Sequence, residues 1–346
     1  MFKIILPDQS TVPLLPDQDG EVSGDFSHPV FQQNGVVDLL GQDDASAELT
    51  ARHYDLQWNR EIDFLSFLKG NPEVLRYMPS GQLGWPELIG RIRAQAKDRR
   101  TLVYDAACGY GGLFTQLFAA PIPQGLGYLG ADIHANLADI ERPDGASHAR
   151  AHFVRWDISR PLPIVEKFDY VICRNALMHT ADPKVTLRSL MESVAPGGTI
   201  AVSVYARKAL LREMLDDALR ERITKMSSKD AFSLAHQFSC LGRDLQQSIG
   251  SIMIKEDLPF FGMRAGQYGI QEFIYQYMLK CWYNQIFGEK YSDIVNFDWY
   301  HPPYAHRFAK NEILDLFQEL GLHVVREESI PAQHYVEASR VGCQTE

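Results

Sequence analysis

Three aspartates close three successive apolar runs: Asp105 in TLVYDA (101–106), Asp132 in GYLGADI (127–133) and Asp157 in HFVRWDI (152–158). Runs of this kind read as buried strands. In a doubly wound sheet the strand ends open on one crevice, so the three carboxylates are expected to face a single ligand. No cluster of Lys or Arg accompanies them. The first strand passes into ACGYGG, and a strand that runs through glycines into a helix offers bare N–H groups and a positive helix end. Ala107, Gly109 and Gly111 are small enough for a ligand to approach the backbone. Asp132 lies about 20 residues past the turn, where an acid reaches ribose hydroxyls. Asp157, beside apolar Ile158, stands where a carboxylate accepts from an adenine amine. A ligand with ribose, adenine and a cationic tail fits this pattern better than a pyrophosphate.

A dinucleotide fingerprint requires G-x-G-x-x-G, but from Gly109 the pattern reaches Gly111 and then fails at Phe114, so the glycine that lets helix and strand pack closely is missing. DAACGYG instead resembles the first motif of class I S-adenosylmethionine-dependent methyltransferases, D-x-G-C-G-x-G, with Ala107 in place of the first glycine. GADI, VRWDI, FDYVICRNALMH and VAPGGTIAV resemble that family's later motifs in order and spacing. The resemblance covers about 100–206 and extends to the terminal helix and hairpin. It implies S-adenosyl-L-methionine as cofactor. Asp105 and the Ala107–Gly111 backbone would seat the methionine part, Asp132 and Ile133 the ribose, and Asp157 and Ile158 the adenine. The backbone near Arg174 would meet the cofactor's amino group.

A sulfonium-borne methyl is already an electrophile, so such an enzyme chiefly aligns a nucleophile and excludes water. A base is needed only where the acceptor must lose a proton early. The segment ALMHT after the fourth strand makes His179 the first candidate base; a residue that caps the next helix or lines the wall is the alternative. FDWYHPPYAHRF (297–308) carries His301, Tyr304 and His306 on a Pro-stiffened loop that resembles an acceptor-side lid in small-molecule members of the family. Aromatic residues are dense between Phe260 and Tyr304, including Tyr275, Trp282 and Trp299. Most are expected in a core, with a few lining a pocket. Tyr54 and Trp58, on an early helical stripe, either fold over the cofactor or pack on the sheet.

The elements that must hold these residues follow from the alternation of strands and helices beyond residue 100. FDYVICRN (168–175) and GTIAVSVYA (198–206) add two strands, KNEILDLFQELG (310–321) a helix, and LHVVREE and HYVEASRVG a closing antiparallel hairpin, because SIPAQ is too short for a crossover. The expected fold is α/β: a doubly wound seven-stranded sheet, mostly parallel, with a C-terminal antiparallel hairpin. Its parts are an N-terminal β-ribbon and helical extension (1–98), a Rossmann-like core (99–206), a helical insertion (207–298) and the completion of the core (299–346). VFQQNGVVDLL in the ribbon resembles a small module found ahead of some methyltransferases, without that module's zinc-binding cysteines, so no metal is implied. The ribbon either packs on the core or mediates a homodimer contact.

With 34 Lys+Arg against 44 Asp+Glu, the formal charge of −10 has the wrong sign for gripping a phosphate backbone, so nucleic acid is not the expected partner. The five cysteines are scattered without a CxxC pair, which fits reduced thiols in a cytoplasm. MFKIILPDQS is too short a run for a signal core, and nothing reaches the roughly 20 apolar residues of a membrane span. The leading expectation is O-, N- or C-methylation of a small organic acceptor. The alternatives are a tRNA or protein methyltransferase and a protein that binds the cofactor without transferring methyl; a Rossmann dehydrogenase is more distant.

Overall fold

The computed structural model describes residues 2–6, 9–14, 20–22, 30–33, 35–40, 50–51, 53–54, 83–147 and 150–340. Trp58 and most of the early helical stripe lie outside them, though 50–51 and 53–54 are helical. The ribbon supplies β1 (Lys3–Ile5), β2 (Thr11–Pro13), β3 (Gly20–Glu21), β4 (Phe31–Gln33) and β5 (Val36–Asp38). Helix α1 (Trp85–Asp98) carries Pro86 in its first turn, where a missing N–H costs nothing. The core continues with β6 (Thr101–Ala106), α2 (Gly112–Leu117), β7 (Leu126–Asp132), β8 (Ala151–Arg155), β9 (Phe168–Arg174), α3 (Pro183–Glu192) and β10 (Val194–Tyr205).

The sheet runs β13-β14-β10-β9-β6-β7-β8-β5-β4-β3, where β13 (Leu322–Ser329) and β14 (Gln333–Arg340) close the chain. Neighbours among β6, β7, β8, β9 and β10 pair in parallel, while β14 is antiparallel to both β10 and β13. The expected seven strands form this centre, but among the described residues the sheet has ten. Its count is corrected because β5 pairs in parallel with β8, from Val36 opposite Phe153 to Asp38 opposite Arg155. The ribbon thereby covers what would be an open edge. An Asp38–Arg155 ion pair at 3.1 Å and burial of Phe2, Ile4, Val37 and Leu39 fix it to the core.

Alternation along the strands builds a core on each face. Tyr104, Leu129, Val171 and Ile200 pack with Leu187 and Leu190 of α3 and with Ile313 and Phe317 of α8 (Lys310–Glu319). Val103, Tyr128, Phe153 and Ile172 pack with Trp85, Leu88 and Ile92 of α1 and with Phe114 of α2. Both faces are covered, which is why the strands read as nearly unbroken apolar runs.

Between β10 and α8 lie α4 (Leu210–Ile223), α5 (Ser228–Gln247), β11 (Ser251–Ile254), β12 (Gly266–Gly269), α6 (Ile270–Tyr277) and α7 (Gly288–Tyr300). The insertion is therefore not purely helical: β11 and β12 form an antiparallel hairpin, its strands half-buried and exposed by turns, which leaves too weak an apolar signal to read in sequence. Helix α7 also runs past residue 298, the expected boundary. No described helix is long and apolar enough to cross a membrane.

Candidate active site

The turn after β6 is held by hydrogen bonds from three directions. The Cys108 N–H reaches the Ala131 carbonyl at 2.9 Å, and the Gly109 N–H reaches Asp132 Oδ2 at 2.7 Å. His134 Nε2 lies 3.0 Å from the Gly109 carbonyl while its Nδ1 accepts from the Asn136 N–H at 3.1 Å. A carbonyl only accepts, so His134 carries its proton on Nε2. Ala107, Gly109 and Gly111 all have positive φ, at 63°, 54° and 80°. For Ala107 this is a strained conformation, costing about 1–2 kcal/mol.

The three aspartates line one cavity of about 510 Å³ at the carboxyl edge of the sheet, together with Ala107, Gly109, Ile133, Ile158 and Arg174. The chain order reverses here, with β7 on one side of β6 and β9 on the other. Gly111 is the one residue expected at the cofactor that does not line the cavity; it caps α2 and packs on Ile140. Asp105 is buried and accepts from the Tyr128 hydroxyl at 2.7 Å. Burial pushes its carboxyl up to about 6, against the opposing pull of Arg174 and Tyr128. Asp132 braces the turn and also accepts from the Ile133 N–H at 2.7 Å. Asp157 accepts from the Ser159 N–H at 2.9 Å.

The acceptor side begins where β9 ends. Asn175 turns the chain with a φ of 58° and is clamped by Ser203 of β10, whose hydroxyl donates to Asn175 Oδ1 at 2.6 Å. The short turn Leu177–His179 follows, with all three residues buried. His179 Nδ1 sits 2.9 Å from the Tyr304 carbonyl. Nδ1 must donate, so Nε2 bears the lone pair; among the described residues it is buried without a partner. Burial lowers the His179 pKa, with Asp298 opposing. Asp298 accepts from the Tyr205 hydroxyl at 2.5 Å. Burial works to raise its carboxyl, but His179 and Tyr205 outweigh it and hold it below the usual range. The Tyr54 hydroxyl, also buried without a partner among the described residues, shares this wall.

Of the loop residues expected near the chemistry, Tyr304 lines the cavity and His301 and His306 do not. His301 Nδ1 meets His53 Nδ1 at 2.7 Å and its Nε2 faces the Met226 carbonyl at 3.3 Å. His306 instead clamps the turn that carries His179: its N–H reaches the Met178 carbonyl at 2.9 Å and its Nε2 the Thr180 carbonyl at 3.0 Å. Both rings are engaged in hydrogen bonds within the protein. The insertion contributes lining residues absent from the sequence reading, among them Lys208, Arg212, Lys280 and Asp298. A lysine inside the apolar stretch YQYMLKCWY was the available signal for Lys280.

A family model described as a methyltransferase domain matches residues 104–200. No curated protein matches. Among solved structures the chain is similar to an S-adenosylmethionine-dependent methyltransferase from Mesorhizobium loti, at 14% identity over 75% of this chain and 99% of that one, TM-score 0.42. It is similar to an O-methyltransferase family protein from Burkholderia thailandensis, at 14% identity over 88% and 75%, TM-score 0.39. It is also similar to the [4+2]-cyclase SpnF, at 12% identity over 74% and 79%, TM-score 0.40. The cofactor of such a domain fits the residues present, since three acids converge on one cavity and, among the described residues, Arg174 Nη1 is buried there without a partner. Residues 104–200, the stretch that builds the glycine turn, the three aspartates and the turn bearing His179, thus match a methyltransferase domain.

Proposed function

We propose that the protein methylates a small organic acceptor at an oxygen or nitrogen that loses a proton, with His179 as the base. The observation that carries this reading is the cavity itself, which continues from the three aspartates into a wall built by the insertion, through Tyr275, Trp282, Phe287 and Ile294. That enclosure suits a molecule rather than a polymer. S-adenosyl-L-methionine, held by these residues, would supply an electrophilic methyl group.

The chain does the rest. Asp105 and the turn from Ala107 to Gly109 seat the methionine part. Asp132, whose Oδ2 keeps a lone pair beyond its bond from the Gly109 N–H, takes the ribose, and Asp157 with Ile158 takes the adenine. His179 Nε2 receives the acceptor's proton. Its Nδ1–H stays on the Tyr304 carbonyl, so the ring cannot present the wrong nitrogen. Because burial lowers its pKa, His179 is neutral and ready at pH 7, and the acid limb of the rate profile should fall below the ordinary histidine value of about 6.5.

Incubation with methyl-labelled cofactor and a panel of phenols, amines and hydroxy acids tests the reading. Label should appear in a small product; label found only in RNA or protein would sink it. His179→Gln should lower kcat about 10²- to 10⁴-fold while leaving S-adenosylhomocysteine affinity unchanged in calorimetry.

A further inference from the structure

The end of the cavity away from the aspartates is basic and aromatic. The indole of Trp299 has the Lys280 ammonium 4.6 Å from its centroid, the Arg212 guanidinium at 5.4 Å and the Lys208 ammonium at 5.8 Å. Two of these cations are occupied. Arg212 bonds Asp216 and the Tyr275 carbonyl, and Lys208 bonds the carbonyls of Pro331 and Ala332. Lys280 differs: it is 7% exposed, lines the cavity, and its ammonium makes no hydrogen bond or ion pair among the described residues.

The nearby acids are already engaged. Asp216 accepts from Arg212, from Trp299 Nε1 at 2.8 Å, from the Tyr300 hydroxyl at 2.8 Å and from the Lys280 N–H at 3.1 Å. Asp298 is taken by Tyr205. Arg307, 5.9 Å from the same ring, is taken by Glu213 and Asp217, so Lys280 is the ammonium of this end left without a hydrogen bond or ion pair among the described residues, and a buried ammonium without an anion is costly. Burial holds Lys280 down to about 7 against the pull of Asp298, and burial with Arg212 does the same for Lys208.

We infer that this end is a carboxylate subsite, in which Lys280, with Lys208 beside it and Trp299 as its floor, takes an acid group on the methyl acceptor. The inference rests on the reading of the cavity as a methyl-transfer site. A monoanion pairs with the lone Lys280 ammonium, and Arg212, with Nε on Asp216 and Nη1 on the Tyr275 carbonyl, keeps neither of its paired N–H faces free for a phosphate. Trp282, Phe287 and Ile294 supply an apolar wall for the body of the acid.

Calorimetry on the full chain, with and without S-adenosylhomocysteine, tests it with matched probes: 4-hydroxybenzoate against 4-hydroxybenzamide, and 3-phenylpropionate against its amide. The acids should bind about tenfold or more tightly over the amides at pH 7. Their binding alone should take up protons, seen as a buffer-dependent enthalpy, because an anion raises the lysine pKa values. Lys280→Met should reduce the preference to about twofold or less and Lys280→Arg should retain most of it, with S-adenosylhomocysteine affinity unaltered in both. If Lys280→Met fails to give a cooperative melt, Lys208→Met takes its place with the same expected loss. Equal binding of acid and amide, a preference that survives these variants, or no acid binding at about 10 mM would overturn the subsite. Acid preference without S-adenosylhomocysteine binding would overturn the methyl-transfer reading instead.

Discussion

Asp105 and Ala107, two residues apart, carry opposite liabilities. Burial raises the Asp105 carboxyl to about 6, so the folded chain holds that proton more tightly than the unfolded chain does. Its stabilising contribution is full at low pH and is lost as pH rises from the ordinary aspartate value to about 6, a difference on the order of 3 kcal/mol. A cofactor ammonium beside the carboxylate offsets that loss. S-adenosylhomocysteine should therefore raise the melting temperature more at pH 8 than at pH 5, and its affinity should weaken as pH falls below about 6. Asp105→Asn should weaken binding roughly 10- to 100-fold and flatten that pH dependence, measured by calorimetry. Ala107 stands with φ at 63° where the related motif has glycine. Ala107→Gly should stabilise the protein by roughly 0.5–1 kcal/mol in urea unfolding, since relief of strain exceeds the added chain entropy.

Two packed elements decide where the acceptor wall stands. The turn bearing His179 is fixed from below by Ser203 on β10 and from the side by His306. The segment bearing Lys280 lies against α5 at Gly242, where a Cβ would run into the Cys281 carbonyl. Gly242→Ala should cost about 1–3 kcal/mol of stability by overpacking and shift the wall. Urea unfolding reads the first effect, and loss of acceptor turnover with S-adenosylhomocysteine affinity retained reads the second. In the sequence Gly242 is one glycine in a 20-residue helix, and nothing in its spacing marks the neighbour it serves. His301 and His306 looked alike on one Pro-stiffened loop, and only their contacts separate them from Tyr304, which reaches the cavity.

At the scale of the molecule the ribbon completes the sheet. Without residues 1–40, β8 becomes an open strand edge and the apolar surface covered by Phe2, Ile4, Val37 and Leu39 is uncovered. Such a truncation should lower soluble yield and form larger species on size exclusion, because an unpaired edge recruits other chains. The alternating core was legible because covering both faces of a parallel sheet forces apolar strands, and ligand chemistry at its edge requires glycine and aspartate at set positions. Asp105, Asp132 and Asp157 could thus be placed together from the sequence by itself. The acceptor end is different. Lys280 comes from the loop after α6 and Asp298 and Trp299 from α7, and they meet His179 only because these segments fold back over the sheet. Long-range packing leaves no local signature, so the tertiary structure alone decided which histidine faces the cavity and that its far end is cationic.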